Sequence, residues 1–247
     1  MESFWEWFRA LNDAGGINLT IFYDSFDRRR FVGGFLMTLK LASICIVASV
    51  LIGIVGAWLQ GSRLRATRAI VHWYIQFFRN TPPLVQIYFF YFGIGSLLTT
   101  NNAAGTAVPI VSNFMWAIVA LSFFAGAFNV EIFRSGIEAV PKATIEAAES
   151  LGFSRLRAYL LIVLPLAFRI SLPALNNNLV NLVKTTTLAY AIAVPEMLYV
   201  ASQIWSDALN VPEMMNVLLI TYFVLVASLV WVMHRWERAI KVPGFGA

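Results

Sequence analysis

The sequence predicts an all-α integral membrane protein that crosses the bilayer five times. Three observations carry this. Hydrophobic residues make up 59% of the 247 positions and charged ones only 13%, against about 45–50% apolar residues in soluble domains, so the chain holds more apolar surface than one aqueous core buries. Uncharged runs recur that are long enough for a hydrocarbon layer, about 20 residues of helix. These runs, such as LASICIVASVLIGIVGAWL, are apolar on every side, whereas barrel strands alternate in polarity over about ten residues.

Taken in order, residues 1–30 form an N-terminal segment whose Phe4, Trp5, Trp7 and Phe8 suit a short helix at the membrane interface, the alternative being a soluble lead-in. Its acidic, aromatic start lacks the basic region and apolar core of a cleavable export signal. A membrane domain is expected over 31–237. The first uncharged run is Leu41 to Ser62, and Gly33, Gly34, Gly53 and Gly56 in and before it favour close helix packing, within this chain or against another. The run from Asn80 to Val130 holds two crossings, with TTNNAAGTAVP, Thr99 to Pro109, as the turn between them. Pro82 and Pro83 remove two N–H donors near the start of the second span, which should bend there as a hinge, a cavity wall or a static kink. Ala117, Ala120, Gly126 and Ala127 give the third span a small-residue surface. The fourth runs from about Ile170 to Ala193, interrupted by Lys184, and the fifth from Met214 to His234. Residues 238–247 form a tail.

Basic residues orient the chain. Arg63, Arg65 and Arg68 fill the first connection, Arg134, Lys142, Arg155, Arg157 and Arg169 the third, and Arg235, Arg238 and Lys241 the tail. The second and fourth connections lack Lys and Arg, so the N-terminus is expected outside and the tail in the cytoplasm. Arg28, Arg29 and Arg30 disagree, lying on the outer side. The net charge of +5 follows the membrane topology, and no nucleic-acid partner is expected. Cys45 is alone, so neither an internal disulfide nor a zinc cluster is implied, and no metal site is read. His72 and His234 stand apart and fit interfacial positions better than catalysis. No catalytic residues are assigned, and no GxxxxGK[ST] loop occurs, so any ATP hydrolysis belongs to another chain.

The longest polar connection, about residues 135–165, contains EAAESLGFSRLRAYLLIVLP. Pro141 suits a first helical turn and Gly152 a helix stop, so two short helices with a turn at Gly152 are expected. Ala143, Ala147 and Leu151 then share one small face, with Glu146 and Glu149 projecting from another. Such a face fits the groove of a soluble partner; the alternative is a solvated helix of good helix formers.

Glu146, Ala147, Ala148, Gly152, Ile162, Leu164 and Pro165 resemble the EAA motif of membrane subunits of ATP-binding-cassette importers, at all seven specified positions. FFRNTPPLVQIYFFYFGI, EIFRSGIEAVPKAT and NLVKTTTLAYAIAVPEML are similar to the permeases for polar amino acids of the histidine, glutamine, arginine and glutamate type. Thr185 departs from the acidic or amide residue that many relatives have after the lysine. The resemblance covers roughly 31–237. It implies the type I importer architecture, a place in the bacterial cytoplasmic (inner) membrane, coupling helices around the EAA segment, a second permease, identical or sister, two ATPase subunits that bind ATP and Mg, and an external binding protein, with no cofactor in this chain itself. A secondary transporter or a channel for a small polar solute is the alternative, though neither an internal repeat nor clustered membrane-embedded ionisable groups are visible.

The path for substrate is read at Lys184. Fifteen residues of helix from Arg169 place it about 22 Å along the fourth span, past the midplane of a bilayer, where a charge is costly unless it faces a polar path or a partner. Asn177 and Asn181 lie on or near its face and Thr185 follows. These groups suit an amino acid carboxylate; the alternative is that Lys184 serves backbone carbonyls or a partner subunit. The fourth connection, Glu196 to Glu213 with Trp205, Asp207 and Asn210, is read as an acidic, aromatic rim for the binding protein, or as a packed loop.

Overall fold

The apolar runs form helices whose ends are set by proline, glycine and capping side chains rather than by the first charge encountered. In the computed structural model, which is 85% helical, residues 2–101 and 106–240 are described, the side chains of 2–4 excepted. Phe4, part of the turn at 99–109 and Lys241 in the tail therefore lie wholly or partly outside the described residues. Helix α1 (Glu2–Gly15) and the single turn α2 (Thr20–Tyr23) lead into α3 (Ser25–Gln60).

Helix α3 starts well before the uncharged run at Leu41. At 1.5 Å per residue its 36 residues span roughly 54 Å, more than a hydrocarbon layer of about 30 Å. Its early charges do not stop it because protein groups satisfy them. Arg28 donates to the Ile21 carbonyl at 3.3 Å and to that of Phe22, Arg30 pairs with Asp27 at 3.4 Å and Asp207 at 2.9 Å, and Lys40 lies 5.1 Å from the centre of the Phe114 ring.

The next run is split. Helix α4 (Arg65–Asn80) ends at Thr81, which is extended at φ −112°, ψ 142°, and α5 (Pro83–Tyr88) begins two residues later. Pro82 disfavours helical backbone at the residue before it, and Pro83 suits a first helical position, so the break follows from the sequence. A π turn (Phe89–Ile94) and a 3₁₀ turn (Gly95–Leu97) complete this segment. The expected turn is instead a small hairpin, β1 (Thr99–Asn101) antiparallel to β2 (Ala107–Pro109), with Thr100 opposite Val108.

Helix α6 (Asn113–Glu138) is followed by α7 (Lys142–Ser150), α8 (Arg155–Ala158), a π turn (Tyr159–Val163) and α9 (Leu164–Thr185). A 3₁₀ segment (Thr186–Ile192), α10 (Met197–Ala208) and α11 (Val211–Ile240) complete the chain. Among the described residues, four helical segments are long and apolar enough to span a membrane, Ser25–Gln60, Asn113–Glu138, Arg155–Ile192 and Val211–Ile240; the remaining apolar segment, Pro83–Leu97, is the shorter one beyond the break.

The chain passes between two compact units, one of Met1–Ile44, Leu84–Ala120 and Val183–Ala227, the other of Cys45–Pro83, Leu121–Leu182 and Ser228–Ala247. In the first, Ile21, Met197, Ala201, Ile204, Met214 and Leu218 form a core. In the second, Ala57, Val71, Ile75, Val130, Phe133, Leu175 and Leu179 do so. Lipid tails are as apolar as leucine, so helix association in the membrane depends on close fit. Glycines supply it within this chain: a Cβ at Gly53 would lie 2.5 Å from the Asn129 side chain, and one at Gly126 would lie 2.7 Å from Ile52.

Candidate functional site

The α7–α8 connection is built on a helix stop. Gly152 takes φ +84° and has no atom near its missing Cβ, so conformation, not space, favours glycine there. Its N–H reaches the Glu149 carbonyl at 3.0 Å and the Phe153 N–H reaches that of Ala148 at 3.1 Å, the paired 5→2 and 6→1 bonds of a Schellman ending. The Ser154 hydroxyl then accepts from the Arg157 N–H at 3.4 Å and starts α8. Glu149 and Arg155 bridge the turn at 3.4 Å.

Burial divides the motif residues. Ala148 is buried, and Ile145 packs against Val140, Val163 and Ala167, which anchors α7 from beneath. Ala143, Glu146, Ala147 and Gly152 are exposed, and Leu151 is 80% exposed. Ile162 and Leu164 are half-buried and Pro165 is exposed. In a regular helix Pro165 would leave the Leu161 carbonyl without a donor and crowd it; the preceding π turn, Tyr159–Val163, re-spaces the chain at this point. The seven positions thus form no single cluster: four support or shape the segment, and Glu146, Ala147 and Gly152 lie on its open side.

On α9, Asn177, Asn181 and Lys184 are all exposed, at i, i+4 and i+7, and Thr185 is half-buried. Their neighbours Asn176 and Asn178 turn inward: Asn178 donates to the Ala125 carbonyl at 3.0 Å and to Asn129 Oδ1 at 2.8 Å, and Asn176 donates to Glu237 at 3.3 Å. Among the described residues, no carboxylate or carbonyl accepts from the Lys184 ammonium. The charge sits in the last turn of α9, where the helix dipole favours it.

Two further polar clusters are present. Arg134 makes a two-sided fork, to Glu131 (2.9 Å) and to both oxygens of Glu138 (2.8 Å each), and Arg79 approaches Glu131 at 3.7 Å. Glu196 is fully buried at the start of α10, where it accepts from the Leu198 and Tyr199 N–H groups at 3.0 and 2.8 Å and from the Tyr222 hydroxyl at 3.1 Å. Burial pushes its carboxyl up to about 7, against the lowering effect of those three hydrogen bonds. The Thr38 hydroxyl accepts from the Met197 N–H at 3.0 Å beside it.

Residues 49–242 match the family described as binding-protein-dependent transport system inner membrane component. The chain belongs to this family. Among similar members, the probable glutamine ABC transporter permease protein GlnM of Bacillus subtilis is 31% identical, over 91% of this chain and 99% of that one. The histidine/lysine/arginine/ornithine transport system permease protein HisM of Salmonella typhimurium is 30% identical, over 86% and 90%. A crystal structure of an amino acid ABC transporter with histidines superposes with a TM-score of 0.76 at 28% identity, over 86% of this chain and 94% of that chain. The MetNI methionine ABC transporter, in an inward-facing form, gives 0.68 at 18% identity and shares the fold. The fold is that of a type I importer membrane subunit.

Within this binding-protein-dependent fold, the acidic rim expected over Glu196–Glu213 needs correction. Glu196 and Asn210 are buried, Glu213 accepts from the Asn18 N–H at 3.1 Å, and Asp207, the exposed acid, is paired with Arg30. The same pair, with the Arg28 bonds and the Trp5 ring 3.9 Å from its guanidinium, gives Arg28 and Arg30 structural roles. The Glu131–Arg134–Glu138 fork has a sequence signal, its i, i+3, i+7 spacing, which the treatment of Arg134 as a topology marker passes over. The Glu196–Tyr222 contact had no local signal.

Proposed function

We propose that this chain is a permease subunit of an ATP-driven importer of polar amino acids, forming half of the translocation path. The observation that carries this reading is the exposed α7 face, Ala143, Ala147 and Leu151 beside Glu146, held by a buried underside and ended by Gly152. A small, smooth face on a rigid support suits a joint that receives force from another protein. The partners are two ATPase subunits that bind ATP and Mg, a second permease, identical or sister, and an extracytoplasmic binding protein. The chain supplies no catalysis itself. Its termini lie outside (N) and in the cytoplasm (C), which puts the α7–α8 connection on the ATPase side. Residues 1–30 form the external interfacial segment, 31–237 the membrane domain and 238–247 the cytoplasmic tail.

In this reading the exposed Asn177, Asn181 and Lys184, with the half-buried Thr185 beside them, line the path, and Lys184 receives a substrate carboxylate. The names of the similar proteins GlnM and HisM support the substrate class. The test is uptake by the complex reconstituted with its ATPase and binding protein, using labelled glutamine, histidine, arginine and glutamate. Uptake of at least one that requires both ATP and the binding protein is expected. Uptake that proceeds without ATP would turn the reading toward a secondary transporter or channel.

A further inference from the structure

Between the first turns of α3 and of α11 a groove of about 590 Å³ opens, within the range of about 300–1,000 Å³ that ligand sites take. Trp5 of α1, Ile17 and Leu19 of the link to α2, Val32 of α3, and Val217 and Ile220 of α11 line it. All of them belong to one compact unit. Helices α3 and α11 are two of those long and apolar enough to span a membrane, and the groove runs out onto apolar surface on both. Val32 and Leu36 follow at i and i+4 on α3, and Ile220, Phe223 and Val224 at i, i+3 and i+4 on α11; all five are exposed. In a chain that spans the membrane, hydrocarbon covers such faces.

Two charges line this apolar groove without meeting. Arg28 and Glu213 are both half-buried. Arg28 gives its Nε to the Ile21 carbonyl and its Nη2 to that of Phe22, and lies 3.9 Å from the centre of the Trp5 ring; neither bond uses Nη1. Glu213 accepts from the Asn18 N–H through Oε1, which leaves Oε2. Among the described residues, no carboxylate pairs with Arg28 and no Lys or Arg pairs with Glu213. A half-buried charge at the edge of a membrane is costly unless a group of opposite sign reaches it. The guanidinium therefore calls for an anion and the carboxylate for a cation, in one groove.

We infer that this groove binds one molecule of phosphatidylethanolamine, with an acyl chain along Ile17, Leu19, Val32, Val217 and Ile220, the phosphate on Arg28 and the primary ammonium on Glu213. The tail gives no preference over the surrounding bilayer, because lipid is as apolar as these side chains. The headgroup decides. Phosphatidylglycerol offers a phosphate but no cation and leaves Glu213 unserved, and the quaternary ammonium of phosphatidylcholine has no N–H to donate. Phosphatidylethanolamine supplies both charge-assisted hydrogen bonds. Bound there, it joins the interfacial helix α1 to two spans. The site uses none of the residues assigned to the substrate path or the ATPase joint, so it is independent of the transport reading.

The test uses the whole complex in phosphatidylcholine nanodiscs that contain a trace of phospholipid with a photoreactive group in one acyl chain, its headgroup ethanolamine, choline or glycerol. After illumination, labelling of the peptides that carry Val32, Val217 and Ile220 is measured by mass spectrometry and divided by labelling elsewhere on the chain. Wild type should be labelled about tenfold more by the ethanolamine probe than by the other two, the factor expected of one charge-assisted hydrogen bond. Glu213→Gln, which keeps an acceptor for the Asn18 N–H, should bring the ethanolamine probe down to the level of the choline probe. Arg28→Gln should lower labelling by all three; if that variant fails to assemble, Glu213→Gln alone decides. Equal labelling by the three probes in wild type, stronger labelling by the glycerol probe, or an undiminished ethanolamine preference in Glu213→Gln overturns the site. Undiminished labelling of an assembled Arg28→Gln complex does so too, as does absence of label from these peptides, the outcome expected if a second permease covers the groove.

Discussion

The α7–α8 connection keeps its carboxylates outside, with Glu146 and Glu149 exposed over a buried Ala148, whereas the connection into α10 buries Glu196 completely and meets it with two backbone N–H groups and a tyrosine hydroxyl. Both are polar interruptions in an apolar chain, and by composition they look alike. The difference lies in where the hydrogen-bonding partners come from. A carboxylate whose partners are supplied by its own chain is part of the support. Glu149 is tied across the turn to Arg155, and Glu146, left facing outward beside alanines, is free to meet another protein. The comparison therefore separates a segment that holds position from one that, in the function proposed above, another protein grips.

The largest effects are expected at the gripped segment. Gly152→Val forces a β-branched side chain into φ +84°, and Glu146→Lys reverses a charge on the exposed face. Each should leave membrane insertion and subunit levels near wild type while reducing uptake to background, read as labelled amino acid accumulated by whole cells. Normal uptake by both variants would remove the coupling role. Lys184→Met comes next. It should assemble with the ATPase yet lose uptake or shift its competition profile away from acidic amino acids; unchanged uptake and competition would take Lys184 out of the path.

Effects at the holding segment should appear in stability first. Glu196→Ala removes the cap of α10 and leaves the Tyr222 hydroxyl without its acceptor, a loss of about 1–3 kcal/mol that lowers the unfolding temperature of the detergent-solubilised complex. Its pH dependence has a definite sign. The folded carboxyl titrates near 7, above its ordinary value of 4.5, so between these values the folded state holds a proton that the unfolded state has released. The stabilising contribution is complete below about 4.5 and is lost as pH rises through 7, and Glu196→Gln should flatten that slope. A slope equally steep in Glu196→Gln would place its origin elsewhere.

The smallest effect concerns the surface pair. Asp207→Ala breaks an ion pair whose acid is 63% exposed, and should cost at most about 1 kcal/mol, less at high salt. Its better use is topological. Asp207→Cys should react with an impermeant thiol reagent from outside intact cells, and labelling from the cytoplasm alone would reverse the orientation.

Features fixed by a residue's own backbone were legible in the sequence. Thr81-Pro82-Pro83 splits a helix, and Gly152 ends one, for reasons contained in those residues. Features fixed by distant partners were not. Helix α3 runs through Arg28, Arg30 and Lys40 because their partners include Asp207 and Phe114, far away in sequence. Glu196 read as a surface acid because Tyr222, which pairs with it, lies three turns into another helix. The small hairpin and the π turns also escaped, since one-residue shifts in helical spacing leave little trace in hydrophobic pattern.

The central claim is that α7 presents one face, and not the other, to a separate ATPase. Ala147 and Ala148 test it as adjacent residues of opposite burial, the first exposed and the second 3% exposed. Cysteine introduced at each, in complexes purified with an ATPase subunit carrying a single cysteine in its membrane-facing cleft, can be treated with a short bifunctional thiol reagent, against a background in which Cys45 is fully buried. The account predicts a cross-linked permease–ATPase species with Ala147→Cys and none with Ala148→Cys. Equal cross-linking at both positions, or at neither across a scan of the ATPase cleft, would contradict it.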